Sequence, residues 1–410
     1  DILDQMDGRR PTAPEAPSAP HPFTPATLDG TPELLKPGIY FGLDEPAYHA
    51  LPALSSSGAK KMAASPTIFW ASTAWLSARK RKKVEEKAEE QRIHQTLGKA
   101  YHCRIMEGRE EFAKRFVVGL KPEDHPDALV TTDQIKAAIV EAGERPASKV
   151  DDTLPTGEPY KRAAKKDDWI AQLLDLDPDA QVFSVIEERF LAEHAGKAHI
   201  TADDWERIEI AAAMIERDPQ VKHAFTGGHA EVTLIWYCPT TGVPMKARVD
   251  YLKVKALVDL KTFANQREIS PDRAINFEIS GYKYNMQPAV YEEGMREVKA
   301  LIRQHGKSVV HVADGYCQAP DDCGAFALKW AQHDGPVEWL WVFQQKGDAP
   351  VTRGKFYPLA GTTHMITKDV LMTAKRRFRE CSETFGTDIW LDVAPIDDIV
   401  DEEIMRATDF

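Results

Sequence analysis

The sequence lacks several features that would place it in common protein classes. No apolar run approaches the roughly 20 residues that span a bilayer, so we expect no membrane segment. Only five of the 410 residues are cysteine, and these are scattered along the chain. Because no signal-peptide pattern opens the sequence either, we expect a protein of the reducing cytoplasm.

An excess of positive charge is also missing. Lysine and arginine number 52 against 64 aspartates and glutamates, for a formal net charge of −12. This argues against a surface that coats nucleic acid indiscriminately, although an acidic exterior can coexist with a local basic channel. Basic clusters at 79–83, 161–166 and 375–379 are each typical of a solvated helix face, with a DNA contact as the minority interpretation.

Composition shifts divide the chain into five predicted segments. Seven prolines among the first 32 residues predict a flexible arm. Irregular Asp-, Pro- and Lys-rich sequence at 122–192 predicts a helical insertion that separates an N-terminal helical part, 33–121, from a core, 193–392. The remaining residues, 393–410, form an acidic tail.

The core begins with helix-forming sequence and then changes to strands. Apolar alternation predicts a three-strand meander at 232–237, 243–252 and 256–262. A helix at 276–303 follows, interrupted by Pro288, which should kink the helix or mark its first turn. A loop-rich stretch at 305–336 comes next. A strand at 337–343, another around 355–359 and a helix at about 368–385 complete the predicted core.

The second and third predicted strands carry a motif whose residue types suit metal-dependent hydrolysis. Asp250 is followed, after eight residues, by Asp259-Leu260-Lys261. Two carboxylates can hold a hard divalent cation, and a neighbouring lysine can position an attacking water. Strand alternation directs Asp259 and Lys261 to the same face. Taken alone, however, Asp-x-Lys on a strand is more often a solvated edge with an incidental ion pair.

Four further motifs, in order along the chain, make the pattern specific. Together with Asp-x-Lys they resemble the RecE-type exonucleases (exodeoxyribonuclease VIII), a branch of the PD-(D/E)XK superfamily close to the RecB nuclease domain. The other motifs are Gly98-x-x-x-His102, Gly228-His229-Ala230-Glu231, Arg248-x-Asp250 and Gln287-x-x-x-Tyr291. The resemblance implies an α/β (α+β) restriction-endonuclease-like core, with a mixed central sheet flanked by helices and a helical insertion.

The resemblance also implies roles for individual residues. Metal ligands would be His102, Asp250, Asp259 and the backbone carbonyl of Leu260, and Lys261 would hold the water or the scissile phosphate. Glu231 would support a second metal or orient a ligand, with a surface salt bridge as an equal alternative. Gln287 and Tyr291, one helical turn apart, would lie near the metal and the DNA backbone, and Arg248 would contact phosphate.

The activity that the resemblance implies is hydrolysis of double-stranded DNA from its ends. We expect a Mg²⁺-dependent exonuclease, with Mn²⁺ as the alternative ion, which degrades 5′→3′ and leaves 3′ overhangs for recombination and repair. The family further implies a bacterial or phage origin, a ring-like homo-oligomer and a single-strand annealing recombinase as partner. Two alternatives stay open: an endonuclease or single-strand-preferring nuclease, and a non-catalytic DNA-binding subunit.

Overall fold

The computed structural model of the chain describes residues 21–86, 92–154, 157–316 and 320–393. Most of the predicted arm, 1–32, and nearly all of the predicted acidic tail, 393–410, lie outside these residues. The chain divides into two compact units, one made of 1–89, 219–345 and 351–410, the other of 90–218 and 346–350. Within the described ranges, no helix is both long and apolar enough to cross a membrane.

Both units contain helices and strands. The helices are α1 (Glu45–Ala50), α2 (Ser56–Ala64), α3 (Pro66–Ser72), α4 (Ala78–Glu86), α5 (Arg92–His102), α6 (Arg109–Arg115), α7 (Thr132–Glu141), α8 (Lys166–Leu176), α9 (Phe183–Glu193), α10 (Ala202–Arg217), α11 (Pro271–Gly281), α12 (Met286–His305), α13 (Pro320–Gln332) and α14 (Thr362–Phe385). The strands are β1 (Gly38–Phe41), β2 (Phe116–Val118), β3 (Lys149–Thr153), β4 (Pro159–Ala163), β5 (Ala198–Ile200), β6 (His229–Tyr237), β7 (Pro244–Leu252), β8 (Ala256–Phe263), β9 (Val310–Val312), β10 (Glu338–Gln345) and β11 (Thr352–Tyr357).

A seven-stranded mixed sheet forms the centre of the first unit, in the order β11-β10-β8-β7-β6-β1-β9. Strands β6, β7 and β8 are the predicted meander, joined by antiparallel pairing. Strand β10 returns parallel to β8, and β9 lies parallel to β1, whereas the other neighbours are antiparallel. Parallel strands are buried on both faces, which explains why Leu257, Val258 and Leu260 of β8 are all buried.

Helix α12 packs on this sheet along an apolar stripe that contains Val290, Val298 and Ile302. Gly294 lies on the same helix, and a Cβ there would stand 2.7 Å from ring carbons of the buried Trp236 on β6. Close approach of the helix to the sheet therefore requires a glycine at this position. The contact matters for function because α12 carries two of the predicted site residues.

Two predictions for the first unit were wrong in detail. The single helix expected at 276–303 is two helices, α11 and α12, which the turn 282–285 separates. Pro288 does not cause the break, since it lies in the first turn of α12, where a missing N–H costs no intrahelical hydrogen bond. The stretch 305–336, expected to be mostly loop, contains β9 and α13.

The second unit contains the predicted insertion at 122–192 together with flanking sequence. Besides helices α7 to α9, this segment carries the antiparallel hairpin β3–β4. One small core packs Ile135 and Ile139 of α7 against Leu173 of α8. Another surrounds Tyr101 and Ile208. Thr201 caps the start of helix α10, because its hydroxyl accepts a hydrogen bond from the N–H of Asp204 at 3.1 Å.

Candidate active site

The two aspartates of the strand motif lie where β7 and β8 separate. The ladder between these strands pairs Tyr251 with Val258 and Leu252 with Leu257, and extends no further along the described strands. Beyond it, Asp250 Oδ2 accepts a hydrogen bond from the backbone N–H of Leu260 at 3.0 Å. A side chain thus replaces a ladder partner and fixes the position of the Asp250 carboxylate next to β8.

Asp259 is the most buried carboxylate of the motif, with only 2% of its side chain exposed. Its Oδ2 forms an ion pair with Nζ of Lys261, and the two side chains leave β8 on the same face, as the alternation predicted. Lys261 is 17% exposed, so it is the less buried partner of the pair. The arrangement places a buried anion beside a largely buried cation.

Helix α12 supplies polar groups above these residues. Gln287 Nε2 donates a hydrogen bond to Asp259 Oδ1 and lies 3.3 Å from the hydroxyl of Tyr291. The Tyr291 hydroxyl in turn donates to the backbone carbonyl of Arg248 on β7. Residues four apart share one helix face, which is why one turn of α12 reaches both β7 and β8. Both residues therefore hold the site in place from within the protein.

Glu231 on β6 lies directly opposite Asp250 on the neighbouring strand β7. The β6–β7 ladder pairs Ala230 with Tyr251 and Val232 with Val249, which leaves Glu231 opposite Asp250. Glu231 has a φ of 54°, in the left-handed region that residues with a side chain adopt rarely. A carboxylate oxygen of Glu231 lies within 4.8 Å of one of Asp250. Strained backbone and facing like charges are both unfavourable unless a ligand or partner compensates them.

Arg248 shares the strand face of Asp250, as predicted, but its guanidinium group contacts protein acceptors. It donates hydrogen bonds to the carbonyls of Leu43 and Asp44 and lies 4.7 Å from the ring centroid of Tyr48. Its Nε lies 3.9 Å from Glu231 Oε2. With 12% of its side chain exposed, Arg248 orients Glu231, and its contact with phosphate stays a prediction.

Burial governs the electrostatics of the motif. It raises the pKa of Asp250, against the opposing effect of the Lys261 ammonium and the Leu260 N–H. Burial also lowers the pKa of Lys261, but Asp259 and Asp250 outweigh it, so the pKa of Lys261 is raised overall. Lys261 therefore stays protonated at neutral pH and acts as a positive charge.

The donor set suits a hard divalent cation. Asp250 and Glu231 offer carboxylate oxygens within 4.8 Å of each other, which Mg²⁺ and Mn²⁺ prefer over soft metals, and a bound cation would offset their repulsion. The oxygens of Asp259 contact Lys261 and Gln287, so its ligation of the metal stays a prediction. The residues present therefore fit a metal site built from carboxylates. The predicted ligation by the Leu260 carbonyl stays a prediction. The predicted ligation by His102, the last residue of α5 in the second unit, also stays a prediction.

One group close to the motif was missed by sequence reasoning. Lys60, on α2, is near enough that the charges of Lys261 and Asp259 both affect its pKa. Tyr284 lies close to both lysines, since its ring centroid is 5.4 Å from Lys60 Nζ and 5.2 Å from Lys261 Nζ. No spacing rule links position 60 to position 261. The sequence Tyr282-Lys283-Tyr284, just before Gln287, was the available signal.

Comparison with known proteins adds a family assignment. The family model described as "PDDEXK-like domain of unknown function (DUF3799)" matches residues 55–312, a span that includes the whole Asp-x-Lys motif and α12. No curated protein matches the chain. Among solved structures, the crystal structure of a "Putative exonuclease" from Eubacterium rectale matches with 13% identity and a TM-score of 0.36, covering 87% of this chain and 93% of that chain.

Proposed function

Since the chain belongs to the family of PDDEXK-like domains of unknown function (DUF3799), we propose that it is a divalent-metal-dependent deoxyribonuclease. The family match confirms the predicted PD-(D/E)XK core, and such a core supports nuclease activity. The finer proposal follows from the RecE-type motif order: the enzyme degrades duplex DNA from its ends, 5′→3′, and leaves 3′ single strands.

One observation carries the proposal. Asp259 lies in an enclosed position between the ammonium group of Lys261 and the amide of Gln287, with Asp250 held beside it by the Leu260 N–H. A solvated strand edge, the ordinary alternative for Asp-x-Lys, would leave these groups exposed and without partners from a second element. Burial of a charged cluster costs several kcal/mol per ion before compensation, and buried charged clusters in contact with a second element concentrate at functional sites.

The residues have distinct proposed roles. Asp250 and Asp259, with Glu231, would hold Mg²⁺ or Mn²⁺. When bound, this ion neutralises charge that develops on the phosphodiester. Lys261 presents a permanent positive charge to the phosphate or orients the attacking water by hydrogen bonding. Gln287 fixes the Asp259 carboxylate, and Tyr291 ties α12 to β7, so that the two strands keep their separation.

Further parts of the proposal rest on the family resemblance. We propose cytoplasmic action on DNA ends in recombination and repair, assembly into a ring-like homo-oligomer, and handover of the 3′ single strand to an annealing recombinase. The net charge of −12 favours a local basic channel over broad coating of the duplex. These features fit a bacterial or phage-encoded enzyme.

The test is digestion of end-labelled linear duplex beside a covalently closed circle, with and without Mg²⁺. We expect linear duplex to shorten from its 5′ ends only with the ion, and the circle to stay intact. Asp259→Asn should abolish cleavage but preserve DNA binding. The matched control is Asp272→Asn, which removes an exposed carboxylate paired with Lys355 on the same unit and should stay active.

Other outcomes of this test point to other functions. Internal cuts in the closed circle would replace the exonuclease proposal by the endonuclease alternative. Degradation from 3′ ends would keep the enzyme class and overturn the proposed polarity. If DNA binds but Mg²⁺ and Mn²⁺ both fail to support cleavage, the non-catalytic DNA-binding subunit is the better description.

A further inference from the structure

Two tyrosines and a lysine form a surface next to the motif that the proposed chemistry leaves unused. Tyr282 and Tyr284 belong to the turn between α11 and α12, and their rings stack with centroids 5.7 Å apart and planes 14° apart. Tyr284 is half-buried, whereas Tyr282 is 61% exposed. One ring thus lies against the other, and most of the outer tyrosine is exposed to solvent.

Lys60 connects this stack to α2. Its Nζ donates a hydrogen bond of 2.8 Å to the backbone carbonyl of Tyr282 and lies 5.4 Å from the Tyr284 ring centroid. Lys261 lies near the same ring, at 5.2 Å. Two ammonium groups thus lie around one aromatic ring, and the Lys261 group is paired with Asp259. The Lys60 ammonium group therefore lies directly beside the tyrosine stack.

The backbone of the turn is also unusual. Lys283, between the two tyrosines, has a φ of 49°, which costs a residue with a side chain of the order of 1 kcal/mol or more. This conformation allows both tyrosine rings to stack on one side of the turn. A strained turn that displays an exposed aromatic stack beside a charged site is typical of a ligand-binding surface.

We propose that Lys60, Tyr282 and Tyr284 form a platform that binds the unpaired nucleotide next to the scissile phosphate, a proposal that rests on the nuclease function proposed above. The base stacks on Tyr282, and Lys60 neutralises the phosphate of that nucleotide. A base inside a duplex is stacked on both faces, so only a frayed or unpaired nucleotide can offer a face to the tyrosine. The platform therefore selects strand ends that have been separated from their complement.

The test separates stacking from chemistry. Binding of a fluorescein-labelled oligothymidylate is measured by anisotropy in EDTA, and KM and kcat are measured on linear duplex with Mg²⁺. Tyr282→Ala should weaken oligothymidylate binding roughly 5- to 140-fold, the effect of losing one base–aromatic stack. It should raise KM by more than it lowers kcat. Tyr282→Phe keeps the ring and should stay within twofold of the wild type.

Two further variants complete the design. Phe356→Ala removes an aromatic ring that is even more exposed, on β11, and should leave binding and kinetics as in the wild type. Lys60→Ala should reduce the slope of log Kd against log salt concentration by about one, because one phosphate contact is lost. Since Lys60 belongs to another element than the tyrosines, this variant tests the platform even if Tyr282→Ala folds poorly.

Failure of the platform and failure of the proposed function give different results. If the wild type cleaves DNA, yet Tyr282→Ala matches Tyr282→Phe in binding and in KM, the platform proposal is overturned and the nuclease function stands. The platform proposal is also overturned if Tyr282→Ala lowers kcat and leaves KM and oligothymidylate binding unchanged. If the wild type cleaves no DNA with Mg²⁺ or Mn²⁺, the proposed function fails, whereas the anisotropy measurements still support or overturn the platform.

Discussion

The carboxylate of Asp250 accepts a hydrogen bond from the backbone N–H of Leu260, at 3.0 Å. This contact joins the two halves of the motif, because Leu260 stands between Asp259 and Lys261. It also explains why the β7–β8 ladder stops at Tyr251 and Val258: the next donor on β8 is used by a side chain. The strands separate at this point, and the separation makes room for charged groups between them.

Gln287 provides a first prediction about how this site is supported. Its amide donates to Asp259 Oδ1, so Gln287→Ala should leave Asp259 in place but less well oriented. Loss of such a supporting hydrogen bond typically costs 10- to 100-fold in metal affinity or activity. We expect the Mg²⁺ concentration for half-maximal cleavage to rise accordingly. An unchanged Mg²⁺ dependence would show that Gln287 does not support the metal site.

Lys261 should contribute both to the cleavage rate and to the stability of the fold. Lys261→Ala should lower the cleavage rate by about 10²-fold or more, as expected for a charge-stabilising group. It also leaves the buried Asp259 without its cation, which costs about 3–5 kcal/mol in the absence of metal. The free energy of unfolding should be measured in urea for Lys261→Ala, for Asp259→Asn and for the double variant. The double variant should lose less stability than the sum of the losses in the two single variants. Simple additivity would mean that the pair is not coupled.

The DNA affinity should depend on pH through Lys60. Burial, and then the charge of Lys261, lower the pKa of Lys60 to about 8, whereas Asp259 opposes the shift. The amine is protonated below this pKa and can neutralise a phosphate, and it loses that charge as pH rises through 8. Oligothymidylate affinity should therefore fall between pH 7 and 9 at constant ionic strength. Lys60→Arg, which keeps its charge, should flatten this dependence, and an equally steep fall in that variant would assign the effect elsewhere.

Gly294 provides a prediction about stability. In Gly294→Ala the added Cβ meets Trp236 at 2.7 Å, so the free energy of unfolding should fall by about 1–3 kcal/mol through overpacking. Gly281→Ala is the matched control, because a Cβ at this helical position meets nothing within 4 Å and replaces a poor helix former. Urea unfolding should therefore show no loss of stability for the control. Equal effects in both variants would contradict the close packing of α12 on β6.

Local periodicity made several features predictable from the sequence. Alternation predicted the meander β6–β7–β8 and the shared face of Asp259 and Lys261, because a strand has a period of two. The spacing of four predicted that Gln287 and Tyr291 lie on the same side of α12. The start of helix α13 has a sequence signal, since Pro320-Asp-Asp is typical of a first helical turn. The surrounding glycines and prolines led to the prediction of a loop instead.

Contacts between distant segments were decided by the tertiary structure alone. The hydrogen bond from Lys60 to Tyr282 spans 222 positions, and no periodic pattern relates two such residues. Lys375, expected on a solvated helix face, is instead buried in an ion pair with Glu293 at 2.6 Å. The sequence determines which side chains a strand or helix can present together, because that depends on backbone geometry. Which elements then face one another depends on the packing of the whole core, and this packing brings Lys60 close to Lys261 and Asp259 of β8.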